Sequence, residues 1–353
     1  MGLTPSSRRR WQNLAVLFGA AAVALVLIEI GFRAWIALRP EGREPGGVPG
    51  AAMRMGPRVR PSPDADLVYE YRPGLAGFTN SAGMRGPERA IARPPNTIRI
   101  AGLGDSVMAG DHYPAEQTFM GVLERRLNEA ATSPTRFETL NFAVGGYNTE
   151  QELAALRRKA SAYDPDWVIL GIVINDIDAP VFVRTRDATG GYLLVDRYQL
   201  DAQLPYGIGL DPGRLPLWAH SVFARWLRSR LYWPARWGRF RRAFGEIARF
   251  CRENNMRLLA VSLTEDVEVD QKEDPRAAWH GDVRKTARAH GVDLLEMYPA
   301  VMEYLKAHGM ASYRTFWSGP QDPHPNVEGH RLHAALIYEK LVSLGILKQP
   351  PRP

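Results

Sequence analysis

A chain of 353 residues, 45% hydrophobic and 24% charged, is long enough to bury a large core, and its composition excludes disorder of the whole. One cysteine, Cys251, excludes an intramolecular disulfide and a cysteine-built zinc site. Much of the net charge of +7 is arginine in the N-terminal flank and in residues 225–242, outside any recognised DNA or RNA motif, so no nucleic-acid partner is expected.

From Leu14 to Phe32 the sequence LAVLFGAAAVALVLIEIGF carries a single charge, Glu29. As a helix it reaches roughly 28 Å, enough to span a bilayer. Arg8, Arg9 and Arg10 before it favour a cytoplasmic N-terminus, opposed by Arg33, Arg39 and Arg43 after it. The run exceeds a usual signal-peptide h-region and no A-x-A site follows. Residues 1–38 are therefore expected to be a cytoplasmic tip and uncleaved transmembrane anchor, with Glu29 placed to reach the headgroup layer or to pair with Arg33. Residues 39–66, dense in Pro, Gly and Arg, read as a stalk holding residues 67–353 on the extracytoplasmic (periplasmic) side of the inner membrane.

Beyond residue 95, TIRIAGLG, TLNFAV, DWVILGIVI, RLLAVSL and VDLLEM read as strands. Helical patterns near 119–131, near 149–162 and from Val327 to Leu344 lie among them, with an insertion at about 177–255. Nearly all-apolar strands separated by helices imply an α/β fold with a parallel sheet covered on both faces. Ligands in such sheets bind beyond the C-terminal strand ends, which directs attention to the residues after each strand.

Gly104-Asp105-Ser106 follows the first strand. A dinucleotide-binding turn would place glycine where Val107 stands and an acid at the end of the second strand, and both are missing. What remains is a hydroxyl nucleophile candidate on a tight turn, although an Asp-Ser pair also suits a plain helix cap. Gly145-Gly146 after the second strand suits either a tight turn or a backbone N–H offered to a ligand. Asn175-Asp176 after the third strand offers an amide donor, or a simple turn. Asp322-Pro323-His324-Pro325 precedes the last helix, and two prolines stiffen the backbone around a candidate base. His330 and His333, one helical turn apart, lack a third ligand at fitting spacing, so no metal is expected there.

The order of these sites resembles the SGNH (GDSL-type) hydrolase family over roughly residues 95–345. The segment Thr79 to Gly86 (TNSAGMRG) also resembles the lead-in of membrane-attached bacterial members. The resemblance implies a three-layer α/β/α sandwich with a flavodoxin-like parallel sheet and no cofactor. It implies Ser106 as nucleophile, His324 as base and Asp322 as the group that orients it. The oxyanion hole would be Ser106 N–H, Gly146 N–H and the Asn175 amide, and Asp105 would organise the turn. Two departures stand out: members usually place the acid three residues before the histidine, where this chain has Gln321, and Val173 replaces the glycine of Gly-x-Asn-Asp.

The insertion interleaves Trp218, Trp226, Trp233 and Trp237 with arginines from Arg225 to Arg242, as in an amphipathic helical cap with tryptophans inward, or in a surface for a groove or for anionic headgroups. The function expected is an extracytoplasmic esterase acting on a glycan or lipid ester, O-acetyl groups of a surface glycan first among them. An O-acyltransferase using the same serine and a silent glycan-binding protein are the alternatives.

Overall fold

The computed structural model describes residues 5–37, 58–186, 192–196, 220–264, 266–271 and 273–351. These fall into two compact units, one within Met1–Met53 and Val195–Ala235, the other within Arg54–Leu194 and Arg236–Pro353. Most of the expected stalk, residues 39–57, lies outside the described residues, as do Trp218 and residues 187–191 and 197–219 of the insertion.

In the first unit, helix α1 (Pro5–Ala37) contains Trp11–Trp35, a stretch of mean hydropathy 2.5, long and apolar enough to cross a membrane. Leu17, Phe18 and Leu27 are all exposed on it, so its apolar character runs around the helix instead of forming one core-facing stripe. Glu29 does pair with Arg33, at 2.7 Å, and also accepts hydrogen bonds from Ser221 Oγ (2.8 Å) and from the backbone N–H of Val222 (2.9 Å) and Phe223 (3.0 Å). The carboxylate thus satisfies two of the orphan donors that open the next long helix, the role an N-cap side chain normally plays. Phe32 packs on Phe223 and Trp226 beside this contact.

The second unit opens with a small hairpin, β1 (Val59–Pro61) against β2 (Tyr69–Tyr71), so folded backbone begins inside residues 39–66. There follow β3 (Thr97–Leu103), a single-turn helix α2 (Ser106–Ala109), α3 (Phe119–Ala130), β4 (Arg136–Asn141), α4 (Thr149–Arg158) and β5 (Trp167–Ile172). A hairpin of β6 (Phe182–Arg186) and β7 (Tyr192–Asp196) and the long α5 (Val222–Glu253) occupy the insertion, α5 belonging to the first unit as far as Ala235 and to the second from Arg236. The chain closes with β8 (Arg257–Ser262), α6 (Ala277–Ala289), β9 (Asp293–Glu296), α7 (Met297–Ala307), a hairpin of β10 (Trp317–Gly319) and β11 (Asp322–Pro325), and α8 (Val327–Ser343).

Five strands form one parallel sheet in the order β4-β3-β5-β8-β9. Numbered within the sheet this is 2-1-3-4-5, the flavodoxin-like order, and this unit is a three-layer α/β/α sandwich. Every residue of β3 and β5 is buried, which explains why both read as continuous apolar runs. α3 buries Phe119, Met120, Val122, Leu123 and Leu127, the spacing of one helix face, and packs on α8. On the opposite face the second half of α5 buries Trp237, Phe240, Phe244, Ile247 and Cys251, and Arg157 of α4 reaches Glu246 at 2.7 Å. This half of α5 is a crossover helix covering the sheet, which gives Trp237 a packing role different from one in a cap.

Two boundaries differ from the sequence reading. β4 ends at Asn141, which pairs with Gly102 of β3, although Phe142 N–H and Val144 N–H still donate to Gly102 and Gly104 carbonyls. The helix at 149–162 breaks at Lys159 into a 3-10 turn, Ala160–Tyr163, before Asp164 takes a left-handed conformation. Its start is set by a capping box, with Asn148 and Gln151 bonding each other's backbone N–H.

Candidate active site

The strand order reverses between β3 and β5, and the turns that follow these strands and β4 share the C-terminal rim of the sheet. After β3, Asp105 caps α2, its Oδ1 accepting the Val107 N–H at 3.0 Å, which sets Ser106 at the first helical position. Gly110 ends the turn at φ +63°, where a Cβ would collide with Thr118 Cγ2. The tight turn leaves Ser106 half-buried at the rim while Val107, Met108 and Ala109 point into the core.

His324 comes from β11. Its Nε2 lies 2.8 Å from Ser106 Oγ and its Nδ1 lies 2.6 Å from Asp322 Oδ1. A carboxylate only accepts, so Nδ1 carries the proton and Nε2 faces the serine hydroxyl as acceptor. The histidine holds the Asp322 carboxyl down to about 2, and that side chain is ionised at any ordinary pH. The two-residue spacing works because β11 is extended: side chains at i and i+2 of a strand leave the same face. Asp322 Oδ1 also accepts the backbone N–H of His324 at 3.2 Å, a short loop that ties the pair locally.

After β4, Gly146 stands at φ +75°, and a Cβ there would meet Val181 Cγ2 at 2.7 Å and Tyr69 Oη at 3.0 Å. Glycine is required on both counts. The preceding peptide is gripped from the β1–β2 hairpin: Tyr71 Oη accepts the Gly145 N–H at 2.9 Å, and Tyr69 Oη donates to the Gly145 carbonyl at 3.0 Å. Tyr71 in turn donates to Asp111 Oδ1 at 2.5 Å. After β5, Asn175 is half-buried, with Nδ2 directed to the Tyr147 carbonyl at 3.4 Å, a bond long enough to exchange for a better acceptor.

Behind these turns three acids are buried. Asp176 accepts the Val173 N–H at 2.6 Å and the Thr149 hydroxyl at 2.7 Å, fixing the backbone next to Asn175. Burial, with Asp105 nearby, pushes its carboxyl up to about 7. Glu152, fully buried beside Asp176, is raised well above the usual range by burial and by Asp176, so the pair holds a proton on Glu152. Burial also raises Asp105, whose Oδ2 accepts the Ser106 hydroxyl at 3.3 Å in an alternative to the histidine bond.

Ser106, His324, Asp322 and Asp105 are in direct contact, and Gly146 and Asn175 stand on the adjoining strand ends. His330 and His333 belong elsewhere. His330 accepts the Phe119 N–H at 3.3 Å and burial holds it down to about 3; His333 meets Tyr313 Oη at 2.8 Å and burial holds it down to about 4. Both are neutral packing residues. Sequence reasoning missed Tyr69 and Tyr71, although their alternation in VYEYR is a strand signal, and it missed His112, whose Nε2 lies 3.3 Å from Asp322 Oδ2.

Over residues 103–332 the chain matches the model of the GDSL-like lipase/acylhydrolase family. Among curated proteins none matches. Solved structures it is similar to include the acetyl xylan esterase AlAXEase, at 14% identity over 69% of this chain and 100% of that chain with a TM-score of 0.44. Axe2, an acetylxylan esterase from Geobacillus stearothermophilus, matches at 14% identity over 69% of this chain and 94% of its own, with a TM-score of 0.43. LAE5, an alpha/beta hydrolase enzyme from the metagenome of Lake Arreo, Spain, matches at 17% identity over 71% and 96%, with a TM-score of 0.43. On the strength of the family match over residues 103–332, this chain is an ester-cleaving hydrolase that belongs to the GDSL-like lipase/acylhydrolase family.

Proposed function

We propose that this protein is a membrane-anchored serine esterase that works through an acyl-serine on Ser106, with His324 as base and then acid and Asp322 as the group that orients it. The observation that carries this reading is the unbroken chain from Ser106 Oγ through His324 to Asp322, at 2.8 and 2.6 Å. Ser106 Oγ attacks the ester carbonyl carbon while its proton passes to His324 Nε2. Negative charge then develops on the carbonyl oxygen, for which the N–H groups of Ser106 and Gly146 and the Asn175 amide are the proposed donors; losing one such donor typically costs about 10²–10³ in turnover. His324 returns the proton to the departing alcohol, leaving acyl-Ser106. Water, deprotonated by the same imidazole, releases the acid and restores the serine.

Two features support an extracytoplasmic surface as the workplace: the apolar stretch Trp11–Trp35 and the arginines that precede it. The substrate class we favour is an O-acetyl ester on a surface glycan. Next to His112, whose ring lies 5.3 Å from that of His324, Tyr113 donates to the Ser318 hydroxyl at 3.4 Å, and hydroxyls there suit a hydroxyl-rich acyl carrier better than a long hydrocarbon chain.

The test is hydrolysis of p-nitrophenyl acetate by the full chain in detergent, with fluorophosphonate labelling in parallel. Ser106→Ala is expected to lose labelling and nearly all turnover, and His324→Ala nearly all turnover, both with unchanged circular dichroism. Turnover retained in either folded variant would remove that residue from the mechanism. Release of acetate from an O-acetylated polysaccharide, compared with longer acyl esters, checks the substrate class.

A further inference from the structure

Asp322 is shared between two imidazoles. His324 Nδ1 lies 2.6 Å from its Oδ1, and His112 Nε2 lies 3.3 Å from its Oδ2. The rings of His112 and His324 are 5.3 Å apart, centroid to centroid, and one ligand atom from each of the three side chains falls within a 4.8 Å group. We infer that His112, Asp322 and His324 form a site for a zinc(II)-class ion whose binding reversibly inhibits the esterase.

The donor set fits that ion. Two imidazole nitrogens and one carboxylate oxygen are the mixed N/O ligands that zinc takes in three-ligand sites, while magnesium and calcium prefer all-oxygen shells. Neighbouring ligands of a tetrahedral zinc stand about 3.4 Å apart, given bonds near 2.1 Å, and the His112–Asp322 separation of 3.3 Å already has that value.

The two imidazoles are also held on fixed backbone. The Arg85 guanidinium, buried, donates to the carbonyls of Ala109 (3.1 Å), Gly110 (2.9 Å) and Tyr113, and Arg58 donates to the Asp111 carbonyl at 2.9 Å. Carbonyls on both sides of His112 are therefore pinned. His324 lies between Pro323 and Pro325 in a strand paired with β10. His112 itself is exposed, so an ion arriving from solvent meets it first.

Inhibition follows from either mode of binding. An ion on His324 Nε2 takes the lone pair that accepts the Ser106 proton. An ion on Nδ1 displaces the bond to Asp322 that orients the ring. This part of the inference rests on the proposed role of His324, whereas the metal site itself does not.

The test uses the full chain in detergent. Zinc chloride is titrated into p-nitrophenyl acetate hydrolysis, with magnesium chloride as control and EDTA for reversal. Zinc is expected to suppress turnover, magnesium to leave it intact and EDTA to restore it. His112→Gln, referred to its own zinc-free rate, is expected to need at least about tenfold more zinc, the scale of loss that even an outer-shell change causes. His112→Ala should behave alike, so a fold defect in one variant leaves the other to decide. Binding is read separately by the visible absorption of cobalt(II) on Ser106→Ala protein, which keeps all three ligands, against Ser106→Ala/His112→Gln. Equal zinc sensitivity in wild type and both His112 variants, activation by zinc, or cobalt spectra unaffected by loss of His112 would each overturn the site. Cobalt binding that needs His112, in a protein whose turnover does not need Ser106 or His324, would keep the site and reject the esterase reading instead.

Discussion

Asp322 and His324 stand two residues apart on one extended strand, and the pleat alone brings Oδ1 of the carboxylate to 2.6 Å from Nδ1 of the imidazole. Here Pro323 and the hairpin with β10 keep the segment straight, and the alternation of faces does the rest.

Asp322→Asn should therefore cost about 10³–10⁴ in kcat, because an amide at this position stabilises the wrong imidazole tautomer. Adding Gln321→Asp to that variant should rescue nothing, since residue 321 lies in the turn before the strand and is exposed. The measurement is kcat for p-nitrophenyl acetate in the single and double variants. A loss below about threefold for Asp322→Asn would show that another group orients His324.

Tyr71→Phe removes the hydroxyl that joins the Gly145 N–H to Asp111. A buried donor and acceptor lose their common partner, which typically costs about 1–3 kcal/mol of stability. If the grip on Gly145 positions the Gly146 N–H for catalysis, kcat falls about tenfold, roughly 1.4 kcal/mol of barrier, with KM nearly constant. A lowered melting temperature with unchanged kcat would confine Tyr71 to folding.

Glu152 and Asp176 give the fold a pH dependence of defined sign. Both carboxyls are raised in the folded state, Asp176 to about 7, so the folded chain keeps protons that the unfolded chain releases above about pH 4. Stability from Asp176 is complete at low pH, declines from about pH 4 to about pH 7 and is level above that; the Glu152 part of the decline extends further up. Glu152→Gln supplies a permanently neutral group that donates to Asp176. The variant should show a flatter stability profile and a melting temperature at or above the parent's at pH 8. A drop beyond about 5 °C at that pH would mean the pair does not hold a proton there.

Composition and hydropathy were enough for the apolar N-terminal helix and for the α/β class, because burial on both faces writes an apolar run into β3 and β5 and helix spacing into α3. The loop chemistry marked Ser106, Gly146, Asn175 and His324, since residues after buried strands lie where such sheets bind ligands. Other relationships have no sequence signal, being contacts between segments distant in the chain. Glu29 capping a helix that starts at Val222, Arg85 fixing the loop that carries His112, and Tyr71 holding Gly145 depend on where the backbone folds back. Local patterns report which way a side chain faces; which partner it meets is decided only when hydrophobic burial and parallel pairing bring remote strand ends to one rim.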